Sequence, residues 1–273
     1  MKLEKIVENV YKRLLNEEEN VEVLKQKMLS KLAGMASEGL GVVVSNKSQF
    51  SDIAIVLYKT NVFVGNVLAS LDTEAKKGGD VGSIQDAVKK SVVGMMGLDA
   101  PSQPCNNAYQ VSYVAGTGYT AILHEIAMQV VPTKTIMPDR GAVSDYLLPT
   151  YQKMLKRGDI KVTPFDDIDA HANGEFKYDH PNHTEDSKDD CETWTHDFPD
   201  RSYLDYSYSG ASSDYSTLKK NHEDAMKMLS RYLKDYMGWD DSNVEELLNF
   251  GAQALFLDVY SGIPGEKKGL KRP

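Results

Sequence analysis

The chain has two cysteines, Cys105 and Cys191, and two tryptophans among its 273 residues. Two cysteines cannot build a disulfide framework and suit a reducing compartment, so the expectation is a cytosolic protein whose core is made by apolar burial. No apolar run reaches the roughly 18 residues that a spanning helix needs. The opening MKLEKIVENVYKRLLNEEEN carries acids where a secretion signal would be basic and then apolar, so neither export nor membrane insertion is expected. Several reactive patterns are also missing. No Lys follows the glycines of AGTGYT at Walker spacing, no third Gly completes a dinucleotide fingerprint, and neither GxSxG, paired CxxC nor HxxxH occurs. These absences argue against nucleoside triphosphatases, dinucleotide enzymes, serine hydrolases and zinc-finger-like sites.

What is present suffices for a large core: 41% of residues are hydrophobic and 26% are charged. The net charge of −9 is unevenly placed. From Phe165 to Asp214 fourteen acids face only Lys177, Lys188 and Arg201, a local −11 that leaves +2 for the rest. The short basic stretch Lys153, Lys156, Arg157, Lys161 suits a phosphorylated ligand, but there is no basic face for sequence-general nucleic-acid binding.

Periodicity predicts a mixed α/β fold. Leu3, Ile6, Val7, Val10 and Leu14, then Leu24, Met28 and Leu32, predict two N-terminal helices. Val42–Val44 and Ile53–Leu57 predict a hairpin, Asn61–Leu68 a third strand, and 71–104 an insertion with a helix capped by Ser83. Ala108–Val114 reads as a strand that runs into AGTGYT and a helix stopped by Pro132. A short strand at Thr135–Met137, a helix over Val143–Arg157 and a strand at Ile160–Thr163 continue the alternation. The acidic segment 166–215, with Trp194, Phe198 and five tyrosines, is too long for a plain connection and is expected to wrap on the body or carry function. A helix over Ser216–Tyr236 and another from the capping box Ser242–Glu245 end the chain. The domains expected are therefore a core at 1–165, the acidic segment 166–215 and a helical extension 216–273 packed on the core.

A strand, a glycine turn and a helix N-terminus together make a generic anion site, although Gly116 and Gly118 equally suit a tight turn alone. In order, two helices, an antiparallel meander, this strand–turn–helix, then strand, helix and strand resemble the GNAT acyltransferase superfamily, which takes its pyrophosphate on such a turn. NNAYQVSYVAGTGYTAILHEIAMQVV followed by MPDRGAVS is more specifically similar to GNAT-like proteins encoded by tailed bacteriophages. That group has an N-A-aromatic strand, a G-Y-G-x-L-L turn, a helix with an I-A-M core and a D-R-x-x-V-S turn. The fragments DDC at Asp189–Cys191, LDYSYSG at Leu204–Gly210 and the pair Asn221–His222 also match, so the resemblance covers roughly 105–260 in pieces. With Gly118 matched to the first glycine of G-Y-G, Thr120 stands where a second glycine is expected and Ala115 where the superfamily has Arg or Gln; in the alternative register Gly116 and Gly118 are the pair.

The resemblance implies a mostly antiparallel sheet flanked by helices and coenzyme-A-dependent N-acyl transfer, with acetyl-CoA as co-substrate and an unknown amine as acceptor. It implies coenzyme contacts at Val114, Ala115, Gly116, Thr117, Gly118, Tyr119, Thr120 and Ser144. It places Tyr151 as the acid that protonates the departing thiolate, against the plain alternative of a core tyrosine. No general base is assigned; His124 and Glu125 are weak candidates, expected on the helix surface. Asp139 and Arg140 read as an ion pair or ligand contact. His171, His180, His183, Cys191 and His196 offer zinc-type ligands without zinc-type spacing, so no metal is expected. The alternatives from other classes are a non-catalytic virion or assembly protein on the same scaffold, and an acidic module that binds a host protein.

Overall fold

The computed structural model describes residues 39–46, 51–77, 89–101, 104–116, 118–139, 143, 147–167, 186–191, 202–210, 214–237, 240–242 and 244–245. The expected N-terminal helices, the helix capped by Ser83, Thr117, Arg140, Ser144, the histidines at 171, 180, 183 and 196, and all residues after 245 lie outside them. Among the described residues no helix is long and apolar enough to cross a membrane.

The fold is mixed α/β. Its elements are β1 (Leu40–Ser45), β2 (Ile53–Lys59), α1 (Thr60–Lys77), β3 (Val92–Asp99), β4 (Tyr109–Ala115), α2 (Thr120–Val130), β5 (Thr135–Pro138), α3 (Leu148–Leu155), β6 (Lys161–Pro164), β7 (Asp166–Asp167), β8 (Asp190–Cys191), β9 (Tyr206–Ser209) and α4 (Ser216–Met237). A seven-stranded open sheet has the order β1-β2-β3-β4-β5-β9-β6, and β7 and β8 form a separate pair. Pairing is antiparallel for β1/β2, β2/β3, β5/β9 and β6/β9, and parallel for β4/β5, where Tyr109 lies opposite Ile136. Two compact units divide the chain: residues 100–111 and 124–213 belong to the first, and 35–99, 112–123 and 214–273 to the second. Strand β4 and helix α2 each pass from one unit into the other.

In the second unit, β2 is buried from Ile53 to Tyr58 because it lies between β1 and β3. The segment Asn61–Leu68, expected as a third strand, is instead the first half of α1. Its β-branched run misleads: Phe63, Val64 and Val67 are buried while Asn61 and Gly65 are exposed, which is a helical stripe and not strand alternation. The strand comes from Val92–Asp99, inside the stretch read as an insertion, where Gly94 and Gly97 interrupt the apolar pattern. That stretch therefore contains both the end of α1 and a strand of the main sheet.

Helix α4 buries Leu218, Ala225, Leu229 and Leu233, which recur at helical spacing. Ala225, Leu229 and Leu233 join Val56, Tyr58, Phe63, Val67 and Met95 in one core. Two polar contacts fix the helix further: the Asn221 side-chain amide donates to the Leu40 carbonyl at 2.8 Å, and the Tyr58 hydroxyl and His222 Nδ1 share a hydrogen bond of 2.6 Å. Burial pushes the Tyr58 phenol well above its usual range, so it stays protonated. In the first unit, β9 lies between β5 and β6, so the acidic segment supplies a strand of the sheet as well as surface.

Burial lowers the pKa of His222 from its ordinary value, against a small opposing pull from Glu223. The folded state therefore resists protonation, and stability present above the unfolded histidine pKa of about 6.5 is lost as pH falls toward the folded value. Thermal unfolding of the wild type should shift down between pH 7 and pH 5 by more than that of His222→Gln; equal pH slopes would refute the assignment.

Candidate functional site

The glycine turn lies in the second unit. Strand β4 ends at Ala115, the chain turns through Gly116 and Gly118, and α2 begins at Thr120. The turn is closed by the Tyr119 N–H donating to the Gly116 carbonyl at 3.1 Å, and the helical ladder starts with Leu123 N–H on the Tyr119 carbonyl at 3.0 Å. Gly116 has φ +134° and Gly118 φ +83°, both unfavourable for residues with a Cβ. The two glycines serve different ends. A Cβ on Gly116 would lie 2.7 Å from the Gly94 Cα and 2.8 Å from the Val93 carbonyl, so Gly116 permits the turn to rest on β3. A Cβ on Gly118 would meet nothing within 4 Å, and Gly118 is exposed, so the bend there faces open space. Val114, Ala115, Tyr119 and Thr120 are half-buried around it. Because α2 starts here, the positive end of its dipole is presented at the turn.

Tyr151 lies in the first unit, on α3 as its spacing predicts, with no exposed surface. Its hydroxyl shares a 3.0 Å hydrogen bond with His124 Nε2, the two rings meet edge-on at 5.0 Å, and Tyr208 of β9 lies 5.5 Å from it, centroid to centroid. The phenol is thus held in the interior by a protein partner. His124 and Glu125, expected on the helix surface, are both buried. The signal was in the sequence: Ile122 to Met128 is flanked by apolar residues on every helical face, and a helix of that kind is covered all round.

Glu125 Oε1 accepts from Arg157 Nη1, and Arg157 also donates through Nε to Asp159 Oδ1 at 2.8 Å and through Nη2 to Asp159 Oδ2. Burial raises the Glu125 pKa, while the hydrogen bond and charge of Arg157 pull it back down. Burial works against the Arg157 cation too, but the hydrogen bonds to Asp159 and Glu125 outweigh it and keep the guanidinium charged. Glu125 Oε2 is buried with no hydrogen-bond partner among the described residues. Arg157, read in sequence as part of a basic stretch suited to a phosphorylated ligand, is therefore an internal counter-ion.

The expectation of two separate cysteines is corrected. Cys105 and Cys191 form a disulfide with their Cα atoms 4.6 Å apart, so Cys191 offers no thiolate to a metal. Nothing in a separation of 86 residues points to that pairing. Around Cys191, Asp166, Asp189 and Asp190 bring carboxylate oxygens within 4.8 Å of one another. Asp139 is half-buried at the end of β5.

The two glycines should respond unequally to alanine. Gly118→Ala adds only the left-handed conformational penalty, about 1 kcal/mol. Gly116→Ala adds that penalty and a backbone collision, together about 2–5 kcal/mol. Urea unfolding of the two variants checks this, and equal losses would contradict the close approach of the turn to β3.

No protein-family profile, curated protein or solved structure matches this chain, so its functional reading rests on its own residues and geometry.

Proposed function

We propose that the protein is a coenzyme-A-dependent N-acyltransferase of the GNAT type, using acetyl-CoA to acylate an amine. One observation carries the reading: β4 delivers a two-glycine turn, open at Gly118, to the N-terminus of α2, and the chain returns as β5 parallel to β4. This is the arrangement that the resemblance ties to pyrophosphate binding. The antiparallel strands β1, β2 and β3 before it, with α1 inserted between β2 and β3, and a strand, helix and strand after it support the same reading.

On this reading the turn holds the coenzyme pyrophosphate through backbone N–H groups and the helix dipole. The side chain of Thr120 adds a hydroxyl donor where a glycine is usual. The amine attacks the thioester carbonyl, a tetrahedral oxyanion forms and collapses, and the thiolate leaves with a proton from Tyr151. His124, 3.0 Å from the Tyr151 hydroxyl, is then the partner that the phenol must share while it gives up its proton. Cytoplasmic location and phage origin belong to the same proposal.

A second reading keeps the scaffold without turnover, as a virion or assembly protein. The full burial of Tyr151 and the engagement of its hydroxyl by His124 favour it, because a phenol so placed packs the core without touching a ligand.

Calorimetry with acetyl-CoA separates the two. Binding is expected in the wild type, and Gly118→Val should weaken it by at least roughly tenfold, about 1.4 kcal/mol. A folded Gly118→Val protein with unchanged affinity would move the site elsewhere, and no binding by the folded wild type would favour the scaffold.

Tyr151→Phe keeps the ring and removes the hydroxyl. With coenzyme binding retained, acetyl transfer to a pooled amine library should fall on the order of 10²-fold. Turnover equal to the wild type would leave Tyr151 with a packing role alone.

A further inference from the structure

The first unit contains a backbone conformation that its residues do not favour. Cys105, Asn106 and Asn107 are successive non-glycine residues with φ of +35°, +56° and +54°. Asparagine tolerates the left-handed region and cysteine has no such preference, so three in a row persist only where the surroundings hold them. The Asn106 N–H donates to the Lys188 carbonyl at 2.6 Å, and its side-chain amide donates to the Pro164 carbonyl at 3.1 Å and approaches Ser207 Oγ at 3.4 Å. Within the turn the Asn107 N–H donates to the Pro104 carbonyl and the Ala108 N–H to the Cys105 carbonyl. The Cys105–Cys191 bond is the covalent tie.

On the other side of that bond, residues 186–191 meet the rest of the unit through the two-residue pairing of β8 with β7, the Asp166 N–H on the Asp189 carbonyl at 2.8 Å and the Lys188 carbonyl that accepts from Asn106. That pairing brings the carboxylates of Asp166, Asp189 and Asp190 within 4.8 Å of one another. A small apolar cluster of Ala108, Met137 and Phe165 covers the two sulfurs.

We propose that the Cys105–Cys191 disulfide is a redox-operated clasp that holds the left-handed turn 105–107 onto the segment 186–191 and releases both when reduced. Reduction proceeds by exchange with an external dithiol. A thiolate of the dithiol attacks one sulfur and breaks the Cys105–Cys191 bond, giving a mixed disulfide and one free cysteine. The second thiol of the reagent then displaces the other cysteine. The reagent leaves as its cyclic disulfide, and two electrons and two protons remain on Cys105 and Cys191 as thiols. Both sulfurs are buried, so attack follows local opening. Once the bond is gone, the turn relaxes away from positive φ and the segment 186–191 is freed from it. The released turn adjoins β4 through Ala108 alone. This proposal is independent of the acyltransferase reading.

The test uses the full chain, oxidised and then treated with dithiothreitol. The denatured oxidised protein should contain no free thiol and the treated protein two. Hydrogen exchange in peptides covering 104–109 and 186–191 should become at least roughly tenfold faster on reduction, while α4 keeps its protection. The variant Cys105→Ser/Cys191→Ser should show the exchange pattern of the reduced protein; should it fail to fold, the reduced wild type decides the matter. Two free thiols after exposure to oxidised dithiothreitol, unchanged exchange on reduction, or loss of protection throughout α4 would each overturn the clasp.

Discussion

Helix α2 buries every residue from Ile122 to Met128, and any polar group on it must find its partner inside the protein. His124 and Glu125 are the two side chains to which this applies, and α3 and the turn after it supply their partners. His124 is met by Tyr151, which is packed in turn on Tyr208. Glu125 is met by Arg157, which is oriented from its other side by Asp159. A single neutral hydrogen bond contributes about 1 kcal/mol net, but removing one partner of a buried ion pair costs about 3–5 kcal/mol, since an uncompensated charge remains. The ion pair therefore constrains α3 and the following turn more strongly than the aromatic contacts do.

Several residues that carry the family resemblance serve the framework. Asn221 and His222 fasten α4 to β1 and β2 through the Leu40 carbonyl and the Tyr58 hydroxyl. Asn106 bridges to Lys188 and Pro164, and Cys191, the last residue of the DDC fragment, is tied to Cys105. These short polar fragments mark places where distant backbone segments are joined.

The elements that were legible share one property: local periodicity and punctuation agreed. The hairpin β1/β2, the sequence β4, turn, α2, β5, and helix α4 each show an apolar run or a helical stripe of the length their element needs, bounded by Gly, Pro or polar residues. Where the two disagreed, the reading failed. Phe63 and Val64 lie within a β-branched run but occupy a helical stripe, and β3 contains Gly94 and Gly97, which look like loop residues until the strand is paired. Strand β9 is only four residues long and sits within an acidic stretch, so its place between β5 and β6 is set by its partners.

The amino-acid sequence by itself determined the α/β alternation, the position of the glycine turn at the head of a helix, and the placement of Tyr151 on the helix α3, because each follows from spacing over a few turns or strand residues. Only the tertiary structure decided that Cys105 meets Cys191, that Arg157 neutralises Glu125, that Tyr151 faces His124 in the interior, and that Val92–Asp99 and Tyr206–Ser209 are strands of the sheet. Those outcomes join residues that are 27 to 86 positions apart or depend on neighbouring strands. Pairing at such distances is selected by the burial of the whole core and the need to satisfy each polar group enclosed in it, which no local window of sequence contains.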